Sequence, residues 1–302
     1  MRMHVWVQVP LPAPKLKRRY VITPAIFIYG GIKMKKILKL NYYLSEKVWG
    51  YEKWILSTHK NGISFICDEE KNLLEYLGEE LPIIIKEIRA NETLSVQVHP
   101  GDEYSKKYEG DNGKTECWYI TNAKEGASIV YGIKEGITKE ELLEDIENNN
   151  VEKILENVYV EKEDMIYIPS GVVHAIKGDI ELIEIQQSSD VTYRIYDWGR
   201  DREVHVKKAL DVIDFKFDNT KGIMKNFKIV ETPYFNVKNI NVEGSYEDKT
   251  SNKFHMYICL NGNGIIKEIN GEEISVSKGE SIYIGKDSDY LFEGNLEMLK
   301  VY

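Results

Sequence analysis

From Lys39 onward, short runs of Ile, Val, Tyr and Phe alternate with clusters of Gly, Asn and Asp at close intervals. β-Branched and aromatic residues suit a pleated, half-buried surface, and Gly, Asn and Asp supply the turns between strands. The rhythm predicts an all-β chain, a sandwich or barrel, with strands over 81–90, 93–99, 116–123, 127–133, 164–170 and 180–189. One stretch departs from it. TKEELLEDIENNNVEKILENV (138–158) places Thr138 three residues ahead of Glu141, a capping box, and continues with apolar residues at helical spacing. Asn148–Asn150 is expected to divide this minor α segment into two short helices.

Composition bounds the rest. With 302 residues, 42% of them hydrophobic, the chain can bury a sizeable core and form two domains. Nine of the 40 Lys and Arg residues, and none of the 49 acidic ones, fall in residues 1–39, so the remainder is more acidic than the net charge of −9 conveys. Such a body is a poor general binder of nucleic acid, whose affinity comes from basic neutralisation of phosphate. An anionic small substrate would need a local basic pocket. Cys67, Cys117 and Cys259 are far apart and form no C-x-x-C, which argues against a disulfide framework or a cysteine zinc site and points to a reducing cytoplasm. No apolar run approaches the roughly 18–20 residues of a membrane span, so no membrane association is expected.

Residues 1–33 carry Pro10, Pro12, Pro14, Pro24 and a KLKRR cluster without strand or helix period. The apolar start precedes the charges, the wrong order for a secretory signal. We read the segment as a non-native leader with Met34 as the native start, or else as a genuine disordered extension. Gly-Gly-Ile-Lys-Met is what a GGAGG-type ribosome-binding site and its spacer encode when translated in frame. A targeting peptide is the remaining alternative.

A weak internal repeat runs through the chain. EDMIYIPSGVVH (163–174) aligns with GESIYIGKDSDY (279–290), and ECWYI (116–120) with HMYIC (255–259). His174 then corresponds to Tyr290, and Glu116 to His255. Two related β units follow, 34–220 with the helical insertion near 134–158, and 221–302, with a potential metal site only in the first.

The chemistry concentrates in SVQVHPGDEYSKKYEGDNGKTEC (95–117). On a strand over 93–99 the period of two puts Gln97 and His99 on one face, and Pro100 ends the strand. Glu116 opens the next strand, and the polar DEYSKKYEGDNG between them is expected to be a loop at a pocket mouth. His174 follows the DMIYIPSG turn. Either His alone is more often an ordinary half-buried side chain. Together, two His, one Glu and an amide oxygen make an N/O set for a borderline divalent metal such as zinc, iron, copper or nickel. H-x₁₆-E followed by P-S-G-x-x-H is similar to the two-part cupin signature, with Gln97 where a second His is usual and a longer gap before the Glu.

Beyond that signature, the chain resembles the type I phosphomannose isomerases in their short bacterial and archaeal form. The likeness rests on VWGYEKW (48–54), LPIIIKEIRANETLSVQVHP (81–100), GKTECWYI (113–120), YIPSGVVHAI (167–176) and SSDVTYRIYDWGR (188–200), and it loosens after about residue 215. The large helical insertion of the family is absent. The resemblance implies two cupin-like jelly-roll units and one zinc ion per chain on Gln97, His99, Glu116 and His174. It implies interconversion of mannose 6-phosphate and fructose 6-phosphate through a cis-enediolate, so the partner is a small sugar phosphate. Arg194 matches the family's active-site arginine and Asp190 its companion acid. Lys86 and Ser95 match positions that hold phosphate, and Lys114 and Glu184 are rival candidates for proton transfer. Monomer and homodimer both remain open. A non-catalytic sugar-binding or regulatory cupin would be expected to lose Lys114, Arg194 or a ligand, and none is lost. An iron or manganese cupin would favour three His and one Glu, against Gln97. Trp49 and Trp54 are expected to pack the N-terminal strand, and Trp118 and Tyr119 to alternate between cavity and core. His4, His59 and His205 are expected at the surface.

Overall fold

In the strands Ile83–Ala90, Glu116–Ala123 and Ile180–Gln187, successive side chains go to opposite sides of one sheet, and both sides are buried. A computed structural model describes residues 35–268 and 273–302; the expected leader, 1–33, lies outside the described residues. Ile83, Ile85, Cys117, Tyr119, Ile183 and Ile185 share a core with Met256, Ile258, Leu299 and Val301 of the C-terminal sheet. Ile88, Trp118, Ile120 and Leu182, on the other face, pack with Ile129, Tyr131 and Ile176 of a second sheet. Burying each such side chain favours the fold by about 1.5–3 kcal/mol. The nearly unbroken run Ile83-Ile84-Ile85 is the sequence mark of a strand covered on both faces.

All the sheets are antiparallel, as expected of the all-β class. The seven-stranded sheet runs in the order 223–224, 165–168, 116–123, 180–187, 83–90, 50–56, 43–47. The facing five-stranded sheet runs 155–159, 128–133, 174–176, 96–98, 193–196. Between them lies a barrel whose wall carries Lys86, Glu116 and Glu184. The C-terminal sheet contains the long strands Asn236–Lys249, His255–Glu268 and Asp289–Val301. It also takes in Ile37–Asn41, paired with Ser281–Ile284, so the first described strand lies in this sheet and the next ones in the seven-stranded sheet. Ile223–Met224 crosses back and pairs with Met165–Ile168. Residues Lys35–Tyr302 form one compact unit.

The repeat appears in the pairing register. Ile168 lies opposite Glu116, and Ile284 opposite His255, the same correspondence that the aligned segments set up.

Two expectations about local structure are corrected. Thr138 does cap a helix, Lys139–Glu147, with both capping-box bonds present. No second helix follows: Val151–Lys153 is one 3₁₀ turn, and Leu155–Tyr159 is an edge strand on Ser128–Ile133. A helix that short gains little by itself, whereas ladder bonds to a formed sheet satisfy the same backbone groups. DEYSKKYEGDNG is not simply a loop. Asp102–Tyr108 is helical, with Asp102 and Glu103 in the first turn and Lys106 and Lys107 in the last, the charge order that complements the helix dipole.

Candidate active site

Pro100 and the Pro169-Ser170-Gly171 turn end their strands at the same edge of the barrel, and so deliver His99, Glu116 and His174 to one point. Their donor atoms lie within 4.8 Å of one another, and all three residues are buried. His99 Nε2 is 3.6 Å from Glu116 Oε2, and His174 Nε2 is 3.4 Å from Glu116 Oε1. Each imidazole sets its Nδ1 against a backbone carbonyl, Val191 O at 2.8 Å and Val172 O at 2.9 Å. That fixes the Nδ1–H tautomer and leaves both Nε2 atoms as acceptors. Burial, with the Lys114 charge second, pushes the His99 pKa well down and that of His174 to about 4, so both rings are neutral near pH 7.

Glu116 Oε1 is buried and has no hydrogen-bond partner. Leaving a buried acceptor unsatisfied costs about 1–3 kcal/mol, more for an ionised group. Burial first, and repulsion from Glu184 second, raise the Glu116 pKa, so its anion calls for a cation. Gln97 lies opposite His174 in register, its amide nitrogen 3.4 Å from His174 Nε2. Turning the amide over presents Oε1 as a fourth donor. Two neutral imidazoles, one carboxylate and one amide oxygen fit a divalent cation of the zinc type.

Of the four donors, Gln97 lines a cavity of about 230 Å³. Lys86, Ser95, Gln97, Lys114, Glu184, Asp190 and Arg194 all line it, while His99, Glu116 and His174 lie outside its lining, reached through Lys114. A larger cleft of about 1080 Å³, along Gly132–Gly136 and residues 213–220, holds none of them. Lys114 Nζ donates to Glu116 Oε2 and stands 3.1 Å from His99 Nε2. Glu184 Oε1 is 3.1 Å from Lys86 Nζ and 3.8 Å from Lys114 Nζ, and Oε2 accepts from Trp118 Nε1 at 3.0 Å. Burial opposes the Glu184 charge, but Lys114 and Lys86 outweigh it and draw the pKa down to about 2. Lys86 stays protonated: Glu52 and Glu184 overcome its burial and raise its pKa.

At the other end Arg194 donates from Nη1 to Glu203 O at 2.6 Å, and its buried Nε has no partner. Asp190 accepts from Asn61 Nδ2 at 2.9 Å, and no Asp190–Arg194 ion pair forms among the described residues. Trp49 and Trp54 are buried as expected, and Trp118 and Tyr119 enter different cores. Two of the surface assignments are corrected. His59 is buried, 3.6 Å from Asp111, because the Thr58–His59 and Gly62–Ile63 hairpin folds its ring toward Trp54. His205 is half-buried, and its Nδ1 accepts from the Arg194 amide. His4 lies outside the described residues.

Sequence reasoning missed Lys47, Glu52, Thr192 and Arg202, which also line the cavity. Glu52 alone had a readable signal, since it shares the face of Trp54 two residues on.

A family model described as "Mannose-6-phosphate isomerase, cupin domain" matches residues 224–302. The chain is similar to the mannose-6-phosphate isomerase of Streptococcus mutans serotype c, with 32% identity over 300 residues covering 90% of this chain and 93% of the relative. The chain belongs to the type I mannose-6-phosphate isomerase family, within the cupin superfamily. Its fold is similar to the solved mannose 6-phosphate isomerase from Bacillus subtilis, at 26% identity and TM-score 0.79 over 89% of this chain and 100% of that one. It is also similar to a mannose 6-phosphate isomerase bound with zinc and yttrium, at 13% identity and TM-score 0.70 over 89% and 99% of the two chains. Like the rest of the isomerase family, the chain is an enzyme. Among the described residues, only its first unit groups His, Cys, Asp or Glu in a metal-competent cluster.

Proposed function

We propose that the chain interconverts mannose 6-phosphate and fructose 6-phosphate through a cis-enediolate, with one zinc ion held by Gln97, His99, Glu116 and His174. The observation that carries the metal assignment is the orphaned Glu116 Oε1 between two imidazoles that both present Nε2. The zinc-bound relative of the same fold supports zinc among the divalent ions. When bound, the ion would polarise the sugar carbonyl and favour negative charge on the neighbouring oxygens.

The chain's own residues divide the remaining work. Isomerisation moves a proton from carbon 2 to carbon 1, so it needs a group that accepts and returns one. Glu184 is held anionic and faces the cavity, which suits an acceptor; the Lys114 ammonium suits a donor toward a sugar oxygen. Arg194 offers its unpartnered Nε, with Ser95 nearby on the cavity wall, for the phosphate or an enediolate oxygen. Lys86 is the weaker phosphate anchor, because Glu184 and Glu52 already balance its charge. Asp190, at the rim, orders Asn61 rather than Arg194. The unit 221–302 covers the outer face of the catalytic sheet. Three free cysteines support a reducing, cytoplasmic site of action.

The test is metal analysis of the purified protein, with a coupled assay on mannose 6-phosphate before and after chelation. We expect about one zinc per chain, activity lost with the metal, and recovery when zinc is returned. Turnover that a chelator leaves untouched would sink the proposal.

A further inference from the structure

Across four neighbouring strands, Trp54, Lys86, Glu184 and Trp118 stand directly opposite one another in one row. Lys86 is 3% exposed, so its ammonium has no water shell to share and depends on what the row supplies. Glu184 lies 3.1 Å away, and the Trp54 ring centroid lies 4.7 Å below. The second carboxylate comes from Glu52, on the same strand face as Trp54. Its Oε2 accepts from Trp54 Nε1 at 2.8 Å, stands 3.9 Å from Lys86 Nζ, and is 3.6 Å from Lys47 Nζ.

The arrangement is nearly symmetric. Two carboxylates flank one buried ammonium, and an indole N–H holds each of them: Trp54 for Glu52, Trp118 for Glu184. Both carboxylates line the catalytic cavity, yet only Glu184 approaches Lys114 at the metal end. We propose that Glu52 is a positioning residue for the isomerisation: it holds the Lys86 ammonium on the Trp54 side, and so sets how closely Lys86 engages Glu184. With Glu52 neutral, the whole Lys86 charge falls on Glu184, and the carboxylate is drawn out of line with the sugar carbons. A displacement on the order of 1 Å at a reacting group can cost about 100-fold in rate. The loss belongs in the chemical step, since no contact of Glu52 reaches the Arg194 end of the cavity.

This inference rests on the isomerase reading, and the experiment separates the two. Steady-state kinetics on mannose 6-phosphate, unlabelled and deuterated at carbon 2, are compared for wild type, Glu52→Gln, Glu52→Asp and Trp54→Phe. For Glu52→Gln we expect kcat to fall about 10- to 100-fold, with KM within about 3-fold and a larger deuterium effect on kcat. Glu52→Asp keeps the charge and recovers part of the loss. Trp54→Phe removes the indole N–H that holds Glu52 and leaves a smaller aromatic ring beside Lys86, and kcat falls less but in the same direction. Melting temperature and metal content are read alongside. If Glu52→Gln does not fold, Trp54→Phe decides, and wild-type kcat in a folded Trp54→Phe overturns the assignment. Unchanged kcat in Glu52→Gln, or a raised KM at unchanged kcat, overturns it as well. A wild type without turnover overturns the isomerase reading instead.

Discussion

Arg194 shows at the scale of one residue how a side chain becomes available to a substrate. Its Nη1 is spent on the Glu203 carbonyl, while burial and the neighbouring Arg202 lower its pKa without neutralising it. Its buried Nε is a donor with no partner, and the residue lines the cavity. A lysine could place a charge there but not a planar fork that also keeps the Glu203 bond. Arg194→Lys should therefore lower kcat/KM by about 100-fold, close to the effect of Arg194→Ala, with the melting temperature little changed. Near-wild-type kinetics in the lysine variant would remove the fork from the argument. At this scale the site was largely legible. Alternation set Gln97 beside His99, and the family motif carried Arg194. Glu52 carried only a faint signal, the strand face it shares with Trp54, because an acidic residue on a short strand usually marks a solvated face. Only the cross-strand row shows it folded inward.

At the scale of elements, the six predicted strands stand where the alternating runs put them, with ends moved by a few residues; 93–99 shrinks to Val96–Val98. The failures have one cause. The segment 155–159 and the polar stretch after Pro100 take their form from what they dock against, and local pattern says little about that. The glycines of the C-terminal sheet were equally silent. Gly244, Gly294 and Gly264 face one another across three adjacent strands, forming a line of residues without side chains. Gly294 has φ 136°, and a Cβ there would stand 2.6 Å from Asn263 O and 2.6 Å from Gly264 Cα. The strands approach because nothing projects between them. Gly294→Ala should cost about 1–3 kcal/mol, from the φ strain and the backbone contact together. A thermal melt reads this as a drop of several degrees, and an unchanged melting temperature would refute it.

At the scale of the whole molecule, the repeat puts two structurally matched positions to opposite uses. Glu116 and His174 face the candidate metal site, whereas His255 and Tyr290 face each other. His255 Nδ1 meets Tyr290 OH at 2.6 Å, and Tyr290 OH is 2.9 Å from Tyr257 OH. Asp248 Oδ2 accepts from Tyr246 OH at 2.9 Å, Tyr257 OH at 2.9 Å and Lys300 Nζ at 2.6 Å. An ammonium and three phenols thus supply what a metal would have, and the network closes on itself. Tyr302 packs its ring against His255 from the chain end. Burial first, then Lys300, push the His255 pKa down to about 4, against the pull of Asp248. Above pH about 6.5 this histidine is neutral folded or unfolded, and its shift has no effect on stability. Between about 6.5 and about 4 the unfolded chain binds a proton that the folded one refuses, so stability falls through that window as the pH drops. Asp248 acts lower. Its pKa is held far below the usual carboxylate range, so its contribution stays intact until the pH passes below about 4. His99 and His174 shift in the same direction, so the decisive quantity is a difference between proteins of equal metal content. The fall in melting temperature from about pH 7.5 to about pH 4.5 should be smaller in His255→Asn than in wild type. Asparagine can still accept from Tyr290 OH but binds no proton. Equal falls in the two proteins would show that the His255 network does not sense pH in this window.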